Sequence, residues 1–192
     1  MSTIRSSLRR RAGGWLDSLL HWDRRMVHAI GENRKLNRFD RMFVTATFLG
    51  DGYIWLSLAV GLLIFGGAVD RRYVGVGFFV TVANIVIFRA IKSMTGRVRP
   101  ESREDREGRL RTRIDGYSFP SGHATTSFGL AWVVFNCYPY IAVQTSVYVM
   151  AAMIAFSRVV VREHYPLDVL GGAVLGSAVA FSLFPVFTRL LF

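Results

Sequence analysis

Two histidines, one aspartate and three cationic side chains stand in this sequence at spacings that suit phosphoryl chemistry. His164 and Asp168 are four residues apart, with Pro166 between them. Proline favours the first helical position, so the Asp168 side chain can reach back to one imidazole nitrogen. That contact would fix the tautomer and leave the other nitrogen as a nucleophile. His123 ends the run Pro120-Ser121-Gly122-His123 ahead of an apolar stretch, and a histidine there can protonate a departing oxygen. The same run reads as a helix start, where free N–H groups and the positive dipole end bind an anion. Gly122 allows close approach, and the Ser121 hydroxyl offers one more hydrogen bond. Lys92, Arg99 and Arg158 add three positive charges and forked donors, suited to a phosphate and its more negative transition state.

Singly, these residues have plainer explanations. His21 and His28 read as cap or surface histidines, and Lys92 or Arg158 alone as a cation snorkelling to an interface. The constellation is what points to chemistry. His123, His164, Asp168 and Glu163 are metal-ligand types, but three surrounding cations would repel a metal ion. No metal or other cofactor is therefore expected. The single cysteine, Cys137, rules out an intramolecular disulfide framework and a cysteine-based zinc finger.

Positioning these groups requires membrane helices. The 192 residues are 52% hydrophobic, with 24 basic residues against 13 acidic ones and only two lysines. A mean hydropathy of +0.32 excludes a disordered polyelectrolyte and an ordinary soluble domain. Residues 1–41 form a basic segment in which Trp15, Leu16, Leu19, Leu20, Trp22, Met26, Val27 and Ile30 recur at roughly helical spacing. It reads as an amphipathic helix in the membrane interface, with docking on soluble parts of the protein as the alternative. Asp17, Asp23, Arg24 and Arg25 interrupt it, so no cleavable signal peptide is expected.

Residues 42–192 form the membrane domain, an all-α multi-pass bundle with five expected spans. These run over Met42–Val69, Tyr73–Ile91, Ala124–Tyr138, Tyr140–Phe156 and Leu167–Leu191, with a turn at Asp70-Arg71-Arg72. A crossing needs roughly 20 helical residues, ~17 at least, so the third is short. Gly172 and Gly176 form a GxxxG read as helix packing. The stretch 97–117 mixes arginines (Arg103, Arg106, Arg109, Arg111, Arg113) with acidic residues and reads as a solvated loop or a lid over a head group. It lacks interleaved aromatics, which argues against nucleic-acid binding.

Crossing parity brings the reactive groups together. Lys92 closes the second span, Ser121-Gly122-His123 opens the third, Arg158 closes the fourth, and His164 and Asp168 open the fifth. All lie on the amino-terminal face of the membrane.

At these residues the chain resembles the type 2 phosphatidic acid phosphatase (PAP2) superfamily. Its three-part pattern, K-x6-RP, PSGH and SR-x5-H-x3-D, is met by Lys92 with Arg99-Pro100, by Pro120 to His123, and by Ser157-Arg158 with His164 and Asp168. Every fixed position and both spacers match. The resemblance implies that His164 attacks phosphorus to form a phosphohistidine, polarised by Asp168, while His123 protonates the leaving group. Lys92, Arg99, Ser121, Gly122 and Arg158 would hold the phosphoryl oxygens, without a metal.

The expected activity is hydrolysis of a lipid phosphomonoester or pyrophosphate, such as phosphatidic acid, phosphatidylglycerophosphate or a polyprenyl pyrophosphate. A lipid phosphotransferase and a non-catalytic lipid-phosphate binding or transport protein are the alternatives. Membrane members of the family commonly have six crossings, and the first is missing from the five counted here. The expected location is the cell or inner membrane. Arg24, Arg25, Arg34, Lys35, Arg38 and Arg41 on the near face, against Arg71, Arg72 and Arg189 opposite, point to a cytoplasmic site. The six-span pattern points to the other side, and both stay open.

Overall fold

The computed structural model describes residues 2–101 and 116–192, with side chains from residue 14 onward. Among the described residues it consists of helices joined by short connections, with one isolated bridge between Val98 and Tyr117. The helices are α1 (Ser2–Gly31), α2 (Arg34–Asn37), α3 (Asp40–Phe48), a π-helical turn (Leu49–Tyr53), α4 (Ile54–Phe65), α5 (Ala68–Thr95), α6 (Gly122–Cys137), α7 (Ile141–Val160) and α8 (Pro166–Leu191). The expected membrane bundle is present. The arginine-rich part of the 97–117 stretch, with Arg103 to Arg113, lies outside the described residues.

The expected spans and the structure differ at one helix. Four segments among the described residues are long and apolar enough to cross a bilayer: Asp40–Phe65, Ala68–Thr95, Ile141–Val160 and Pro166–Leu191. The expected third span is the 16-residue α6, about 24 Å long. A hydrocarbon core is ~30 Å thick. Pro120 precedes it and Tyr138-Pro139 ends it, so it cannot lengthen. The first turn is also displaced. The chain breaks at Gly66-Gly67, and Asp70-Arg71-Arg72 belong to the first turns of α5. There Asp70 Oδ2 accepts the Gly67 N–H at 2.8 Å, capping the new helix. At its other end α5 stops at Gly96, whose φ of 59° suits the left-handed C-terminal cap.

Short α6 is the centre of the bundle, packed against α5, α7 and α8. Lipid is as apolar as a core side chain, so association depends on close packing and small residues. The glycines of the GxxxG supply this. A Cβ on Gly172 would lie 2.6 Å from the Ser121 carbonyl oxygen, and one on Gly176 would strike the Thr125 carbonyl. Two apolar clusters flank α6, one around Val76, Val80, Val133 and Ala180, the other around Trp55, Ala131, Val147 and Ala151. Trp55 also donates its indole N–H to Ser127 Oγ at 3.1 Å.

The α1 helix packs on α7 and α8. It turns Asp23 and Val27 inward and leaves Trp15, Leu16 and Trp22 exposed.

Candidate active site

The residues expected to act together are gathered at one end of the bundle by four chain segments. Lys92 sits in the last turn of α5, and Ser121 is the N-cap residue of α6. Arg158 lies in the last turn of α7, and Pro166 occupies the first turn of α8. Lys92, Arg99, Gly122, His123, Arg158, Glu163 and His164 line a single cavity of about 910 Å³. From this cationic end it continues as an apolar groove between α4, α5 and α6, reaching Leu63, Tyr73 and Tyr138.

The turn after α7 aims His164. Its N–H and that of Glu163 both donate to the Arg158 carbonyl, at 3.1 and 2.9 Å. Arg162 adopts a φ of 60° there, which costs about 1 kcal/mol or more for a side-chain-bearing residue. It is held by burial and by an ion pair to Glu32 at 3.1 Å.

His164 is buried, with Nε2 3.4 Å from Arg99 Nη1. Burial first, then the charges of Arg158, Arg99 and Lys92, hold its imidazole well below the usual 6.5. A ring kept neutral carries a free lone pair, as a nucleophile requires. Glu163 balances part of the positive charge, with Oε2 at 2.9 Å from Arg99 Nη1 and 3.7 Å from Arg158 Nη2. Lys92 Nζ lies over the Phe88 ring, 5.7 Å from its centroid. The Ser121 hydroxyl is buried with no hydrogen-bond partner among the described residues.

Asp168 departs from the expected hydrogen bond to histidine. Its Oδ2 is 3.7 Å from His164 Nδ1, and that nitrogen has no hydrogen-bond partner among the described residues. Instead Oδ2 accepts the Tyr165 N–H at 2.9 Å, and Oδ1 pairs with Arg97 Nη1 at 2.6 Å. Capping the first turn of α8 competes with reaching the imidazole. At 3.7 Å the carboxylate lies beyond hydrogen-bonding distance of the imidazole.

Three residues outside the expected set complete the site. Arg97, read with the solvated stretch, is largely buried and bridges Asp168 to Asp23 of α1, at 2.5 Å from Asp23 Oδ2. Asp23 Oδ1 in turn accepts the Leu167 N–H at 3.0 Å. Asp51, in the π-helical turn, pairs with His123 Nε2 at 2.7 Å. An acidic residue within an apolar span, or on the buried face of an amphipathic helix, is the signal that could have found Asp51 and Asp23. His21 and His28 are exposed, away from the cavity. Among the described residues no group of three or more acidic, histidine or cysteine side chains could hold a metal ion, and Glu163 is engaged by the arginines.

The model of the PAP2 superfamily matches residues 72–191. The chain belongs to the PAP2 superfamily. It is 30% identical over 134 residues to an undecaprenyl-diphosphatase of Sulfolobus acidocaldarius, covering 69% of this chain and 63% of that protein. It is 28% identical over 108 residues to the lipid A 4'-phosphatase of Bacteroides thetaiotaomicron, covering 54% and 48%. The chain thus spans less than two thirds of these relatives. The fold resembles two solved structures, each with a TM-score of 0.68 and 22% identity. For LpxE of Aquifex aeolicus the match covers 84% of this chain and 93% of that one. For the phosphatidylglycerolphosphate phosphatase of Bacillus subtilis it covers 90% and 87%. The family match includes every cavity-lining residue from Tyr73 to His164, and leaves Asp23 and Asp51 before its start.

Proposed function

We propose that this PAP2 protein is a metal-independent membrane phosphatase that hydrolyses a lipid phosphomonoester or diphosphate through a phosphohistidine on His164. One observation carries the reading. A single cavity holds His164, His123 and three cations at one end and becomes an apolar groove beyond them. From Lys92 to Tyr73 the groove follows α5 for about 28 Å. A lipid can leave its tail in the groove while its phosphate meets the cations.

In this mechanism His164 attacks phosphorus in line with the leaving oxygen, and His123 gives that oxygen a proton. Water then hydrolyses the phosphohistidine and inorganic phosphate departs. Lys92, Arg99 and Arg158, with the Ser121 hydroxyl and the Gly122 N–H at the start of α6, neutralise the phosphoryl oxygens as charge builds on them. Asp168 stabilises the positive charge that the His164 ring acquires. Fixed cations thus supply the electrostatic stabilisation that a metal gives other phosphatases. The names of the curated relatives, an undecaprenyl-diphosphatase and a lipid A 4'-phosphatase, support a lipid phosphate as substrate. The cell or inner membrane is the proposed location.

The test is phosphate release by the purified protein from a panel of phosphatidic acid, phosphatidylglycerophosphate and polyprenyl diphosphate, with and without a chelator. Release from at least one lipid, unchanged by chelator, is expected. Release that stops in chelator and returns with added metal would overturn the metal-free mechanism.

A further inference from the structure

Asp51 lies in the sequence Leu49-Gly50-Asp51-Gly52-Tyr53, inside the apolar segment Asp40–Phe65. A carboxylate inside a membrane segment is costly to keep and marks a working position. The backbone is shaped to present it. Residues 49–53 form a kink between α3 and α4, with Gly52 outside helical φ and ψ. Gly52 has a φ of 114°, which side-chain-bearing residues rarely adopt. Gly50 is pressed on Ile154 and on the His123 ring, and a Cβ there would strike Ile154 Cγ2 and lie 3.1 Å from His123 Cδ2. Both glycines are needed to bring this turn against the histidine.

The contact is specific. Asp51 Oδ1 is 2.7 Å from His123 Nε2. Asp51 and His123 also line the cavity where its character changes. Lys92, Arg99, Arg158 and His164 lie at one end, and Tyr53 and Leu56 open the apolar groove on the other. A lipid phosphate bound by the cations with its tail in the groove places its leaving oxygen at this junction.

We propose that Asp51 is a positioning residue for His123: its carboxylate holds the Nε2 edge of the ring, so that Nδ1 delivers the proton to the leaving oxygen. The proposal rests on the phosphatase reading. As His164 forms the N–P bond, the P–O bond to the lipid breaks with its electron pair on oxygen. That oxygen takes the Nδ1 proton of the His123 imidazolium. Neutral His123 then takes a proton from the water that attacks phosphorus, and the His164–phosphorus bond breaks. Asp51 remains a carboxylate throughout and balances the imidazolium against Lys92 on α5, Arg99 on the following connection and Arg158 on α7. The neighbouring His164 stays neutral as the nucleophile.

The experiment uses the full chain in detergent micelles. The protein has four histidines, so isotope-labelled histidine gives a small set of ring signals, with His123 assigned by its loss in His123→Gln. In the parent protein the His123 Nε2–H should be hydrogen-bonded and protected from exchange. Asp51→Asn should weaken that signature, because a neutral amide oxygen is a poorer acceptor than a carboxylate, without moving the His164 signals, and Asp51→Glu should restore part of it. On the best lipid of the panel, Asp51→Asn should lower kcat by about 10- to 100-fold, a part of the roughly 10²–10⁴-fold that a general acid contributes. KM should change less than about twofold, because a positioning residue for a proton donor acts on the transition state.

An unchanged His123 signal in Asp51→Asn, or an unchanged kcat, overturns the proposal. So does a loss expressed mainly in KM together with displaced His164 signals, which is the mark of a purely structural turn. The spectroscopic arm needs no turnover. A parent protein that releases no phosphate from any lipid, yet shows the Asp51-dependent signal, sinks the phosphatase reading and leaves the contact standing.

Discussion

Arg97 and Asp168 form an ion pair of 2.6 Å beneath the proposed nucleophile, and the same guanidinium holds Asp23 of α1. The guanidinium also stacks on the Tyr165 ring, 4.2 Å from its centroid. Asp23 and Asp168 are both fully buried, and both accept N–H groups from the start of α8. The helix that carries Asp168 is therefore anchored to the amino-terminal helix through one arginine.

Removing that arginine leaves two buried carboxylates facing each other. Breaking a buried pair by deleting one partner costs about 3–5 kcal/mol. Arg97→Ala should destabilise the protein by about 3 kcal/mol and lower phosphate release, as read by chemical denaturation in micelles and by the lipid panel. A variant with unchanged stability would show that the bridge carries no structural weight.

His164 makes a pH prediction. Its folded midpoint lies below 6.5 because burial and neighbouring cations disfavour the charged ring. The unfolded chain therefore binds the proton first as pH falls. Its contribution to stability is complete above about 6.5 and is lost progressively as pH drops below that value towards the folded midpoint. Unfolding curves at pH 7.5 and at about pH 5.5 should show this loss in the parent protein and a smaller one in His164→Asn. Equal losses in both would remove His164 from the acid response.

The close approach of α6 and α8 predicts steric intolerance. Gly176→Val would force side-chain atoms into the Thr125 carbonyl region. Overpacking typically costs about 1–3 kcal/mol, so Tm should fall measurably. Gly61 is a control: a Cβ there meets nothing within 4 Å, and Gly61→Ala should leave Tm near the parent value.

The motif residues were legible because their chemistry is encoded in short spacings. Lys92 to Arg99, Pro120 to His123 and Arg158 to Asp168 each span a few turns of chain, and crossing parity then places them on one face. Span ends were less legible. Hydropathy ran smoothly through Val69, while the break came from the Gly66-Gly67 pair and the Asp70 cap. Likewise, prolines on both sides of α6 limit its length more than apolar composition does. The Arg97 bridge and the Asp51–His123 pair join residues more than 70 positions apart, and no local spacing announces them. Asp168 shows a further limit. The i,i+4 spacing to His164 was correct, but Arg97 and the Tyr165 N–H take its oxygens.

His123→Ala should lower phosphate release by about 10²–10⁴-fold, the usual worth of a proton donor. His164→Ala should remove turnover altogether, since His164 is the side chain proposed to take up the phosphoryl group. Circular dichroism of both variants should retain the parent helical signal. Full activity in either variant would refute its assigned role.

The most direct measurement is to trap the intermediate. The protein is mixed with phosphorus-labelled phosphatidic acid or polyprenyl diphosphate, quenched in alkali and digested, and the labelled peptide is identified. The account predicts a base-stable, acid-labile phosphate on the peptide carrying His164, absent from His164→Asn. Turnover that proceeds with no label on His164, or that survives in His164→Asn, would contradict it.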